Sequence, residues 1–133
     1  MVRDDLIKKA GDYSEKRGDI LLLFIFGSSV KGYATPESDV DIAILFKQEP
    51  DFAAIKQIES DLSYALRHEV DITALNNSSP VIRMQVLKSG ILAVNKDKAV
   101  YNDFFVRTIK EYDDLKHIRK EMEDSVLRGR VCA

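Results

Sequence analysis

Gly27-Ser28 is followed, after ten residues, by Asp39-Val40-Asp41. Side chains alternate along a strand, so Asp39 and Asp41 project from one face while Val40, Ile42 and Ile44 face the other way. Two carboxylates side by side repel each other unless a cation or solvent intervenes. Hard oxygen ligands of this kind suit magnesium. A third carboxylate, Asp71, stands in Glu69-Val70-Asp71-Ile72-Thr73. If the two strands are neighbours in register, Asp71 joins the pair, and the three acids become the expected catalytic and metal-holding set. Gly27 lets a phosphate approach the backbone, and Ser28 can donate its hydroxyl and its N–H. Ser29 and Lys31 share that loop and complete the expected nucleotide-binding group. One loop then holds a triphosphate while the acids hold magnesium against it. In a two-metal arrangement one ion activates the attacking hydroxyl and the other neutralises the leaving pyrophosphate. Asp71 is placed to take the attacking proton.

The elements that must position these groups alternate between helix and strand. Leu6, Ala10 and Tyr13 mark a helix over the first 17 residues, which Gly18-Asp19 breaks. Ile20 to Phe26 is continuously apolar, as expected of a strand covered on both faces. Gly27 to Ser38 reads as a loop with a short helical turn after Ser28, and Val40 to Phe46 as the next strand. Glu49-Pro50-Asp51 punctuates the chain before a helix with the stripe Phe52, Ile55, Ile58, Leu62 and Leu66. Glu69 to Leu75 is a third strand and Asn76 to Ser79 a turn. Ser79-Pro80 opens a helix that closes at Gly90. Ile91 to Asn95 is a fourth strand, and a long helix runs from about Asp97 to Arg128. The pattern predicts an α/β or α+β domain, a small mixed β-sheet flanked by helices. The apolar positions of the last helix exceed what a small sheet needs to cover. Some of Phe104, Phe105, Tyr112 and Leu115 are therefore expected to face another protein chain.

Composition narrows the function classes. A chain of 133 residues fits one domain, 1–133, and leaves little room for a second core. A net charge of −2 gives no global pull on nucleic acid or an anionic membrane, so direct nucleic-acid binding is not expected. The single cysteine, Cys132, excludes an internal disulfide framework and a multi-cysteine zinc site, which suits a reducing cytoplasm. Met1 is followed by Arg3, Asp4 and Asp5 rather than a signal core, and Ile20 to Phe26 is too short to span a bilayer.

Gly27-Ser28 through Asp39 and Asp41, with a third carboxylate on a later strand, resembles the polymerase-β-type nucleotidyltransferase signature. The Ser38-Asp39-Val40-Asp41-Ile42 core, the Arg83 helix leading to Lys88-Ser89-Gly90 and the long terminal helix are similar to the minimal nucleotidyltransferase (MNT) group. The resemblance implies the nucleotidyltransferase fold and the role of antitoxin in a HEPN–MNT toxin–antitoxin pair. The implied reaction moves AMP from ATP, with magnesium, onto a tyrosine of the HEPN ribonuclease and silences it. Ser29 departs from the family, which often has arginine or another long polar residue there, and leaves Lys31 to supply the positive charge. Two other readings compete. The acceptor could be a small molecule or an RNA end, but such enzymes usually carry an extra acceptor-binding domain for which this chain has no length. The chain could also be a non-catalytic nucleotide-binding antitoxin that neutralises by complex formation, but binding alone does not require three clustered acids.

Overall fold

The computed structural model describes residues 2–26 and 39–132; Gly27, Ser28, Ser29 and Lys31 therefore lie outside the described residues. Four strands form one mixed sheet in the order β3-β2-β1-β4. Strand β1 (Ile20–Phe26) runs antiparallel to β2 (Val40–Phe46) and to β4 (Ile91–Asn95), whereas β2 and β3 (Val70–Ala74) are parallel. The mixed sheet expected from the sequence is thus present.

The continuous apolar run of β1 has a plain cause, because the strand is central and covered on both sides. Leu23, Ile25, Ile42 and Ile44 pack with Leu6 and Ala10 of α1 (Val2–Glu15) and with Ile58, Leu62 and Leu66 of α2 (Phe52–Leu66). On the opposite face Leu22, Phe24 and Ala43 meet Val86 of α3 (Pro80–Ser89) and Phe104 of α4 (Lys98–Cys132). Burying each such Leu, Ile or Phe side chain stabilises the fold by roughly 1.5–3 kcal/mol.

Side-chain bonds set the element ends. The Tyr13 hydroxyl donates to Asp61 at 2.8 Å and ties α1 to α2; burial and that bond push the phenol up to about 12. Arg17 forks onto Asp19 at 3.0 and 2.9 Å, closing the turn into β1 and holding the Asp19 carboxyl below its usual range. The Lys96 ammonium donates to the carbonyls of Ser14 and Arg17 at the end of α1, where unpaired carbonyls favour a cation. Asp51 caps α2 by accepting from the Ala54 N–H at 2.7 Å, and Ser79 caps α3 from the Ile82 N–H at 3.3 Å. Gly90 closes α3 as expected, for a steric reason: a Cβ there would stand 2.5 Å from the Val86 carbonyl oxygen.

The observed elements differ from the expected ones at two places. The residues after β3 form a short 3-10 turn, Leu75–Asn77, which Asn76 fixes through both backbone groups of Phe46 at 2.9 Å. Phe52 does not belong to the buried stripe of α2; it is 74% exposed at the first turn, beneath the Lys56 ammonium at 5.3 Å from the ring centre. In α4 the buried side chains among the described residues are Phe104 and Thr108; Phe105 and Leu115 are exposed, in line with the surplus of apolar positions noted in the sequence, and so are Ile118, Met122 and Val126. The periodicity was real, but a four-stranded sheet is too short to cover a helix of 35 residues.

Candidate active site

Parallel pairing of β2 with β3 sets Val40 beside Val70, Asp41 beside Asp71 and Ile42 beside Ile72. Adjacent strands lie about 4.8 Å apart, so Asp41 and Asp71 emerge as lateral neighbours on one face. That face is opposite to the core that buries Val40, Ile42, Ile44 and Val70. The in-register neighbour relation expected for Asp71 is therefore present. On its other side Asp41 is paired with Phe26, the residue that precedes Gly27 in the sequence. Asp41 is half-buried between an aromatic ring's strand and an acid's strand. Asp39, just before β2, and Asp71, on the edge strand, are exposed.

Electrostatics follow from that placement. Burial pushes the Asp41 carboxyl above the usual aspartate range, and the charges of Asp71 and then Asp39 push in the same direction. Asp41 therefore feels both of the other acids. Among the described residues none of them enters an ion pair with a lysine or arginine. Also among the described residues, no three acidic, histidine or cysteine side chains stand close enough as placed to close around one metal ion. Like-charged carboxylates without a counter-charge are expected to splay. Hard carboxylate oxygens around a half-buried acid are donors of the type that magnesium takes, and among the described residues no lysine or arginine pairs with them.

Arg83 is not a free cation. Its guanidinium meets Glu111 of α4 at 3.2 Å and donates to the Ser78 carbonyl at 3.3 Å, with its side chain only 11% exposed. It clamps α3 to α4. A cleft of about 420 Å³ opens beside it, lined by Leu45, Asn76, Arg83, Phe104 and Arg107 among others. Leu45 is four residues along β2 from Asp41, roughly 13 Å at the usual strand rise, so this cleft is separate from the acids.

Sequence reasoning missed two residues near the acids. Glu59 and Ser63 of α2 accept hydrogen bonds from the Ile72 and Val70 amides, on either side of Asp71. Their spacing of four residues on a helix was the only available signal, and it is common.

Comparisons with known proteins bear on the family and the fold. Residues 8–99 match the family described as polymerase beta, nucleotidyltransferase. The chain is 32% identical over 108 residues to the protein adenylyltransferase MntA of Shewanella oneidensis, covering 80% of this chain and 76% of that protein. The fold is similar to a chain in a crystal structure of a toxin–antitoxin with AMP-PNP, with TM-score 0.75 and 28% identity over 93% of this chain and 97% of that one. It is also similar to a chain of the tri-AMPylated HEPN toxin of Shewanella oneidensis in complex with its MNT antitoxin. There the TM-score is 0.73 and the identity 26%, over 96% of this chain and 99% of that one. Among the described residues no helix is long and apolar enough to cross a membrane.

Proposed function

This chain belongs to the polymerase beta nucleotidyltransferase family, and from that premise we propose that it is an antitoxin that transfers AMP from ATP to a tyrosine of a HEPN ribonuclease toxin in the cytoplasm. The observation that carries the reading is the lateral pairing of Asp41 with Asp71, with Asp39 two residues along the same chain. The whole stretch 1–133 acts as one nucleotidyltransferase domain. Asp39 and Asp41 hold the cation that accompanies the nucleotide, and Gly27, Ser28, Ser29 and Lys31 receive its phosphates. Magnesium, when bound to these acids, supplies charge neutralisation for the triphosphate and eases ionisation of the attacking hydroxyl.

The tyrosine oxygen attacks the α-phosphorus of ATP and forms a phosphodiester. The bond between the α-phosphorus and the bridging oxygen breaks, and pyrophosphate leaves. The phenolic proton passes to the Asp71 carboxylate. The support is threefold: the acids share one face, the relative is named an adenylyltransferase, and the similar structures are toxin complexes with an ATP analogue or an AMPylated toxin. Incubation with magnesium, a HEPN toxin and ATP labelled at the α- or γ-phosphate tests this. The α-label should enter the toxin and the γ-label should leave as pyrophosphate. An unlabelled but inhibited toxin would favour neutralisation by binding alone.

The toxin-facing surface is assigned to the outer half of α4. Leu115, Ile118, Met122 and Val126 recur at steps of three and four and are 39%, 55%, 64% and 56% exposed. A helix segment of this length is marginal alone in water and gains stability by laying its apolar stripe on a partner. Ile118→Asp combined with Met122→Asp should weaken toxin association at least about tenfold, the equivalent of 1.4 kcal/mol. Calorimetric titration of toxin into each variant measures it. Unchanged affinity would remove this face from the interface.

A further inference from the structure

Asp71 sits on β3, the edge strand, so ladder hydrogen bonds to β2 hold it from one side only. Alternate amides of a strand point to opposite edges, and those of Val70 and Ile72 point away from β2. An open edge of this kind is where a sheet frays first, and a one-residue slip would turn Asp71 to the wrong face. Neither outward amide is left open. The Val70 N–H donates to the Ser63 hydroxyl at 3.1 Å, and the Ile72 N–H donates to the Glu59 carboxylate at 3.1 Å. We propose that Glu59 and Ser63 are positioning residues for Asp71, a brace from α2 that fixes the edge strand on both sides of the acid.

The spacing explains why a helix can do this. Acceptors four residues apart on a helix are separated by about 6 Å along its axis. Outward amides two residues apart on a strand are separated by about 6.6 Å. A helix running back along a strand can therefore match two of its amides with two side chains one turn apart. The reversal that brings β3 back along α2 is made at Arg67, whose φ of 58° lies in the left-handed region. Its N–H donates to the Ser63 carbonyl at 2.9 Å. Ser63 thus closes the helix with its carbonyl and holds the strand with its hydroxyl. Glu59 is oriented in turn by the Lys56 ammonium at 3.1 Å from its other oxygen. A bond from an amide to a carboxylate is charge-assisted and stronger than a neutral one.

The inference rests on the proposed role of Asp71, and the experiment separates the two. In Glu59→Ala the Ile72 amide should exchange with solvent about tenfold faster or more, because its acceptor is gone and the edge opens locally. Single-turnover transfer to the toxin should fall by about ten- to a hundredfold, the usual result of a small misplacement of a reacting group. ATP affinity should stay within about tenfold, because Asp39 and Asp41 lie on the other strand. Glu59→Gln retains an acceptor oxygen and should restore both exchange protection and rate; Ser63→Ala should give a milder form of the alanine result at Val70. Full transfer in Glu59→Ala despite faster exchange would overturn the brace, as would a loss in Glu59→Gln equal to that in Glu59→Ala. Full transfer in Asp71→Asn would instead overturn the reading of Asp71, and the Ile72 exchange rate would still decide whether the brace holds the strand.

Discussion

Asp41→Asn is expected to abolish nucleotidyl transfer and to leave the protein at least as stable as the wild type. Asp41 is the central acid, flanked on the next strand by Asp71 and preceded, two residues earlier along its own chain, by Asp39. Asparagine keeps a neutral oxygen there but loses the negative charge that would hold the nucleotide's cation. Metal stabilisation of phosphoryl charge is worth several kcal/mol, and each 1.36 kcal/mol is tenfold in rate, so the loss should reach at least about 10²–10³-fold. The stability effect has the opposite sign. The folded protein raises the Asp41 carboxyl above its unfolded value, so its ionised form is a cost to folding at neutral pH. That cost is absent well below the ordinary value of 3.8 and grows as pH rises through the raised range. The asparagine variant lacks it. Its melting temperature without magnesium should therefore match or exceed that of the wild type at neutral pH, and the gap should close in acid. Magnesium should stabilise the wild type and not the variant, since a ligand stabilises only the state that binds it. Activity within a few-fold of wild type would remove Asp41 from the site.

Asp71→Asn should give a different, split phenotype. A tyrosine hydroxyl with a pKa near 10 is almost fully protonated at neutral pH and is a poor nucleophile. Asp71 accepts that proton in the proposed reaction, whereas Asp39 and Asp41 serve the nucleotide's cation. Asparagine keeps the shape and a neutral oxygen but loses the base. ATP binding in magnesium should stay within about tenfold of wild type, while transfer falls by roughly 10²–10⁴-fold, the usual range for general-base catalysis. Calorimetric binding and single-turnover transfer on the same preparations measure the two effects. Equal loss of binding in Asp41→Asn and Asp71→Asn would make Asp71 an ordinary ligand of the nucleotide's metal.

The acids were legible in the sequence because their chemistry and their periodicity agree. Asp39 precedes and Asp41 interrupts a strand whose opposite-face positions, Val40, Ile42 and Ile44, are fully buried, so charge is tolerated only on the other face. The pairing partner of Asp41 was legible only as a condition, since register depends on how β3 is delivered. That delivery is made by Arg67 in a left-handed conformation that glycine or asparagine usually occupies, so no sequence signal marked it. Phe52 was misjudged for a related reason. Periodicity reports which side chains share a helix face, but the extent of the sheet decides which of them are covered. Arg83 meets Glu111 at 3.2 Å, a pairing across 28 residues that no motif in the sequence marks. Glu59 and Ser63 act on backbone amides, which leave no pattern in side-chain sequence.

Mass spectrometry of a HEPN toxin purified after co-expression tests the central claim most directly. With the wild-type chain, a toxin tyrosine should carry the mass of one or more AMP groups and the toxin should be inactive. With Asp41→Asn, the same tyrosine should be unmodified and the toxin active. An unmodified toxin silenced by the wild-type chain, or undiminished modification with Asp41→Asn, would contradict the account.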